Sequence, residues 1–159
     1  MSNYYLEDKE AFTVAGIGVE LTADYTDFAE IQKQKTAFWE TVNQNGTVKE
    51  LLAKSKNDYL FVVNEAYDNK MMHYVGVETD QEVANATRMI EFPAGKYVIV
   101  EGQAEEAEAL NDYLTNTTFG EVLGQISDYA YVGGPNAAVQ MALKDGKYVG
   151  QMWIPVVAQ

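Results

Sequence analysis

Twice along this chain the period of the apolar residues changes in the same order, and no other feature restricts the fold as much. "FTVAGIGVEL" alternates loosely and reads as a strand, and "TDFAEIQKQKTAFWETVNQNG" then sets Phe28, Ile31, Phe38 and Val42 at helical spacing. Asp27 and Glu30 are placed for a capping box, and Gly46 for a stop. "TVKELLAKS" opens with a second such box, Thr47 and Glu50, and reads as a short helix. "DYLFVVNEAY" and "MHYVGVETD" are strands joined by the polar turn "DNK". After "QEVANATR" the order returns. "RMIEF" and "GKYVIVEGQ" are strands around "PAG", "AEEAEALNDYLTN" is a helix with acids in its first turn, and "FGEVLGQI" is a short second helix. "AAVQMALKD" and "KYVGQMWIPVV" close the chain as strands.

Val48, Leu51 and Leu52 resemble Phe119, Val122 and Leu123 at the equivalent place, and "YVGVE" recurs as "YVGQM". The expected fold is α+β: a tandem repeat of two strand–helix–strand–strand modules forming a curved antiparallel sheet with helices on one face. Module one spans about residues 1–82 and module two about 83–159. Nothing between them is linker-like, so the two belong to one domain.

The strands can be sorted by parity, since successive side chains point to opposite faces. Tyr59, Phe61, Val63, Glu65 and Tyr67 share a face with Tyr74, Gly76 and Glu78, with Tyr97, Ile99 and Glu101, and with Gln151 and Trp153. The opposite face is aliphatic, carrying Leu60, Val62, Val75, Val77, Val98, Val100, Met152 and Ile154. The helices are expected to cover the aliphatic face, leaving an open, concave face of aromatic rings and carboxylates. Such a face suits a flat, lipophilic, cationic ligand, with cation–π attraction of order 1–2 kcal/mol. Tyrosine is also an ordinary strand residue, so a plain solvated sheet face fits the same pattern.

Eleven Lys and Arg against 24 Asp and Glu give a formal charge of −13, which argues against direct contact with nucleic acid or an anionic membrane and favours cationic molecules. With no cysteine there are no disulfides or thiolate sites, and the single histidine, His73, cannot anchor a multi-imidazole metal centre. His73 falls on the aliphatic parity and reads as a hydrogen-bonded structural residue. No phosphate loop, nucleophile elbow or zinc helix is present, and neither a cofactor nor a metal is expected. "MSNYYLEDKE" is no signal peptide and no run approaches a membrane span, so a cytoplasmic location is expected. Monomer and dimer fit equally.

Four phrases in order, "EAFTVAGIGVEL", "HYVGVE", "FPAGKYVIVEG" and "QMWIPV", resemble the GyrI-like family, the effector-binding domain of multidrug-sensing bacterial transcription activators. The likeness spans nearly the whole chain. It implies a cleft between the two modules that binds hydrophobic, often cationic aromatic molecules on tyrosine and tryptophan walls around a glutamate. Where the family's closing signature has that glutamate this chain has Gln151, so Glu78 and Glu101 are the candidates for the charge. With no room for a helix-turn-helix unit, the resemblance is to a stand-alone member.

The expected ligand-binding residues are Trp39, Tyr67, Tyr74, Glu78, Tyr97, Glu101, Gln151 and Trp153. Core packing beside Phe38 is the other reading of Trp39. The function these support first is binding of lipophilic aromatic small molecules for drug or xenobiotic sensing or sequestration. A second is hydrolysis of cyclopropane-bearing DNA-alkylating compounds, as in a subfamily of the resemblance, with Glu78 or Glu101 activating water. A third is an acidic protein-interaction module acting on a DNA-associated protein partner such as gyrase.

Overall fold

A computed structural model describes residues 4–131 and 133–159. Its main sheet has eight strands: β1 (Tyr4–Lys9), β2 (Phe12–Leu21), β3 (Leu60–Tyr67), β4 (Lys70–Val77), β5 (Arg88–Phe92), β6 (Gly95–Ala104), β8 (Asn136–Lys144) and β9 (Lys147–Pro155). β7 (Tyr129–Ala130), which precedes β8 in the chain, pairs with β10 (Val157–Ala158), which follows β9, as a small separate ribbon. The helices are α1 (Phe28–Gln44), α2 (Thr47–Lys54) and α3 (Ala107–Thr117). After α3 the chain makes a π-helical turn, Thr118–Val122, and one α-helical turn, Leu123–Gln125.

Local chemistry explains most of these boundaries. The Asp27 carboxylate accepts the Glu30 amide at 3.2 Å and caps α1. The box expected of Thr47 does not form, because Asn45 accepts the Thr47 amide at 3.0 Å and Gly46, at φ 85°, turns the chain directly into α2. The β3–β4 hairpin turns through Asp68 and Asn69, both at positive φ, and the β8–β9 hairpin through Asp145 and Gly146 in the same way. Paired positive φ values match the right-handed twist of the flanking strands.

The sheet order is β1-β6-β9-β8-β3-β4-β2-β5, with every neighbouring pair antiparallel. One module is β2-α1-α2-β3-β4 and the other is β6-α3-β8-β9, and they meet where Val62 of β3 faces Ala138 of β8. The remaining strands are exchanged. β1 precedes the first module but pairs with β6 of the second, while β5 precedes β6 but pairs with β2 of the first.

The helices cover the aliphatic face. Phe38 and Val42 of α1, Leu51 of α2, and Leu110 and Leu114 of α3 pack on Val62, Val75, Val98, Val100, Met152 and Ile154. The aromatic face, expected to be open, is instead a second core built from Phe61, Tyr74, Tyr97, Phe92, Trp153 and aliphatic neighbours. The strand exchange supplies the reason. Only Glu10 and Ala11 join β1, on one flank of the sheet, to β2 on the other, so the flanks must be drawn together. Four strands separate β2 from β6, yet the Phe12 ring lies 6.3 Å from Tyr97, 4.6 Å from Phe92 and 5.7 Å from Trp153. The sheet curls over its aromatic side chains and excludes water from them.

Candidate functional site

The open concavity is on the helix-covered side. α1 and α3 lie over different modules and leave a cleft between them above the central β3–β8 pair. Four α1 side chains, Phe28, Gln32, Lys35 and Trp39, follow one another at spacings of four, three and four, and so form one stripe beside the core stripe of Ile31, Phe38 and Val42. Glu108, Asp112, Thr115 and Phe119 repeat that spacing on α3 and the turn after it. The two stripes face each other, and Val62, Asn64 and His73 make the floor.

The cleft has two connected parts that share Lys35, Asn64 and Thr115. The inner part is small, about 60 Å³, and polar side chains of both helices line it together with Trp39. The outer part is about 370 Å³ and largely apolar, with Leu21, Ile31, Met71 and Met72 beneath a rim of Tyr25, Phe28, Phe119 and Tyr131. Tyr25 and Phe28 are 74% and 78% exposed, an unusual degree for rings on one rim.

Hydrogen bonds hold the inner part rigid. Gln32 Nε2 donates to Asp112 Oδ1 at 3.2 Å and so ties α1 to α3 across the cleft. Gln140 Nε2 donates to Asn111 Oδ1 at 3.3 Å. His73 Nδ1 donates to Asn64 Oδ1 at 2.8 Å, Asn64 Nδ2 to Asn136 Oδ1 at 3.4 Å, and Asn136 Nδ2 to the Tyr131 hydroxyl at 3.1 Å. The Tyr131 hydroxyl ends the chain by donating to the Gly134 carbonyl at 2.7 Å. Because Asn64 donates its amide onward, its oxygen must accept, and His73 carries its proton on Nδ1.

Burial governs the charges here. It pushes His73 down to about 3, and the positive Lys35 nearby adds to the effect. It lowers Lys35 itself, an effect that Asp112 partly offsets. Asp112 is raised by burial and by Glu108, against the opposing influence of the Gln32 bond and Lys35. Among the described residues no group of three His, Asp or Glu side chains is arranged to hold a metal ion.

Of the eight residues picked out by sequence, only Trp39 lines this cleft. Tyr74 and Tyr97 are fully buried in the aromatic core. The Tyr74 hydroxyl donates to Glu65 at 3.1 Å, and burial pushes it up to about 12. The Tyr97 hydroxyl donates to the Pro93 carbonyl at 2.7 Å. Tyr67 is exposed on that face, with the Arg88 guanidinium 3.5 Å over its ring, and Arg88 also forks onto Glu65 at 2.7 and 3.0 Å. Gln151, Glu101 and Trp153 do meet. Trp153 Nε1 donates to Gln151 Oε1 at 2.8 Å, and Gln151 Nε2 donates to Glu101 Oε2 at 3.2 Å.

The Trp153 ring is only 6% exposed, and Lys9 Nζ sits 3.7 Å over it. Glu78, 3.7 Å from Lys56, borders a broad polar depression with Trp153 on that same side. The cleft stripes escaped the sequence reading because their polar members look like a solvated helix surface. The signal was there in the matched four-three-four spacing of the two modules.

The fold is thus a curled eight-stranded antiparallel sheet with a helix-lined cleft between its two modules. The family described as integron-associated effector binding protein, Cass2, matches residues 5–156. The chain belongs to that family. A Staphylococcus aureus MU50 protein ascribed to bacterial transcription regulation is similar in structure, with a TM-score of 0.74 and 20% identity over 98% of this chain and 99% of that one. SAV2435, solved bound to tetraphenylphosphonium, gives 0.72 and 20% over 98% and 94%. The Vibrio cholerae integron cassette protein VCH_CASS2 gives 0.64 and 14% over 97% and 95%. No curated protein matches the chain in sequence. These neighbours show the GyrI-like fold, and family and fold together support binding of a small molecule. Among the described residues no helix is long and apolar enough to cross a membrane.

Proposed function

We propose that this protein binds lipophilic aromatic small molecules, cationic ones among them, in the cleft between α1 and α3, and so senses or sequesters drug-like compounds. The observation that carries the reading is the outer cleft of about 370 Å³, whose apolar floor opens between exposed aromatic rings. A cavity of that size and lining suits a flat ring system of drug size. Trp39 offers an indole further in, and the methionines Met71 and Met72 adapt to irregular shapes. Support for cationic ligands comes from Glu108 and Asp112 along the α3 wall, the formal charge of −13, and the phosphonium ligand of SAV2435.

The test is calorimetric titration with tetraphenylphosphonium and a panel of flat aromatic dyes. Saturable binding to the wild type is expected. Trp39→Ala and Phe28→Ala should each weaken at least one ligand about tenfold, the effect of truncating an aromatic anchor. If no compound binds, or if both substitutions leave every affinity unchanged, the reading is refuted.

A further inference from the structure

We propose that Lys35 makes this cleft a covalent receptor for aromatic aldehydes, its ε-amine condensing with the carbonyl of a bound aldehyde to give a protonated imine. The inference rests on the α1–α3 cleft being the binding site and adds a reactive group to it.

Placement is the first ground. Lys35 lies on the cleft stripe of α1, three residues after Gln32 and four before Trp39, and it borders both the apolar outer part and the polar inner part. A ring system lying among Phe28, Ile31 and Phe119 brings a formyl substituent to this boundary. Holding amine and carbonyl side by side raises their effective concentration far above that in free solution.

The second ground is that the amine is uncommitted. Lys9, Lys56 and Lys96 each pair with a carboxylate, and Lys54 donates to the Glu82 carbonyl. Lys35 is half-buried, yet among the described residues it makes no hydrogen bond or ion pair. Burial disfavours its ammonium form and lowers its pKa, an effect that Asp112 only partly offsets. At neutral pH a larger share of Lys35 is therefore free amine than of a lysine in water, and the free amine is the nucleophile.

The third ground is the pair of carboxylates across the cleft. Glu108 and Asp112 of α3 line the inner part with Lys35. Gln32 engages Asp112 Oδ1 and leaves Oδ2 without a protein partner among the described residues. Burial, and after it Glu108, raise Asp112 against the Gln32 bond and Lys35, which suits this acid to proton delivery. In the reaction the Nζ lone pair bonds to the carbonyl carbon, the C=O π pair moves to oxygen, and a proton passes from nitrogen to that oxygen. Asp112 then protonates the hydroxyl, which leaves as water while the nitrogen lone pair closes the C=N bond. Amine, aldehyde and one proton thus give an iminium and water, with no oxidant or reductant. The product is a lipophilic aromatic cation, and Glu108 and Asp112 are its counter-charges.

Reductive trapping tests this: the protein is incubated with 2-naphthaldehyde and cyanoborohydride at pH 7, then weighed intact and mapped by peptide mass spectrometry. Tetraphenylphosphonium is titrated calorimetrically alongside. Lys35 is expected to be labelled about tenfold or more faster than any other lysine, the gain in free amine that one unit of pKa gives. Saturating tetraphenylphosphonium should suppress that label. Lys35→Arg, which keeps the positive charge, should lose the fast adduct, with circular dichroism to check its fold. If the lysines are labelled evenly, if bound tetraphenylphosphonium leaves the Lys35 rate unchanged, or if Lys35→Arg keeps the fast adduct, the inference is overturned while the binding site stands. If tetraphenylphosphonium does not bind and no lysine is labelled preferentially, the binding-site reading falls and the inference falls with it.

Discussion

Protonating one buried ring should cost this protein a large part of its stability. His73, the single histidine, is 5% exposed, packs edge-on against Phe38 at 5.7 Å, and spends Nδ1 on Asn64. Burial first, and the charge of Lys35 second, move its pKa from 6.5 to about 3. In the unfolded chain the imidazole takes up a proton near its ordinary value. Between those values the unfolded state binds more protons than the native one, so stability is full above about pH 6.5 and falls as the pH drops toward 3.

Each pH unit of that window is worth about 1.4 kcal/mol, so bringing the protein from pH 7 to pH 4 should remove roughly 3 kcal/mol through this group alone. Against a typical domain stability of about 5–15 kcal/mol this is a large share. Urea denaturation followed by circular dichroism at the two pH values measures the loss. Carboxylates add their own pH dependence, so the decisive quantity is the difference from His73→Gln, whose loss should be smaller by about 3 kcal/mol. A single histidine also gives one unambiguous proton resonance. If that resonance titrates near pH 6.5, or if the variant loses as much stability as the wild type, the account of a closed, dry floor is wrong.

Two further outcomes separate core from cleft. Trp153→Ala should lower stability by about 3–5 kcal/mol, the usual cost of emptying a packed aromatic site, while leaving ligand affinity in the α1–α3 cleft unchanged; a parallel urea melt and calorimetric titration read both. Arg88→Met strips the bidentate partner from the buried Glu65 carboxylate and leaves it only the Tyr74 hydroxyl, so a loss of about 2 kcal/mol is expected in the same melt, at the low end because the Arg88 side chain is 25% exposed.

Much of the architecture was readable because its signals are local. Period-two alternation put Tyr74, Tyr97 and Trp153 on one face and Val98, Met152 and Ile154 on the other, as the structure has them. Alternation says nothing about whether a face is open, however. That depends on β1 pairing with β6 and β5 with β2, contacts between distant parts of the chain that leave no periodic trace in "YYLEDK" or "RMIEF". The cleft escaped for a different reason. Its residues recur with helical spacing, but Gln32, Lys35, Glu108 and Asp112 are polar, and only the facing of two helices distinguishes such a stripe from one that meets water. The hydrogen-bonded relay that starts at His73 likewise joins residues 64, 73, 131 and 136, which nothing in their spacing connects.

The exchange of leading strands also sets the order in which the protein can be made. Tyr4–Lys9 leave the ribosome long before Gly95–Val100, which their backbone needs for its ladder. Phe12, already synthesised, waits for Phe92 and then for Trp153 near the chain's end. Until then the first half holds Phe61, Val63 and Tyr74 on a sheet face with nothing to cover it. Contacts of such long range make folding slow and cooperative, and they leave a sticky intermediate during synthesis. A nascent chain of this topology therefore keeps that aromatic face uncovered until its second half has been translated.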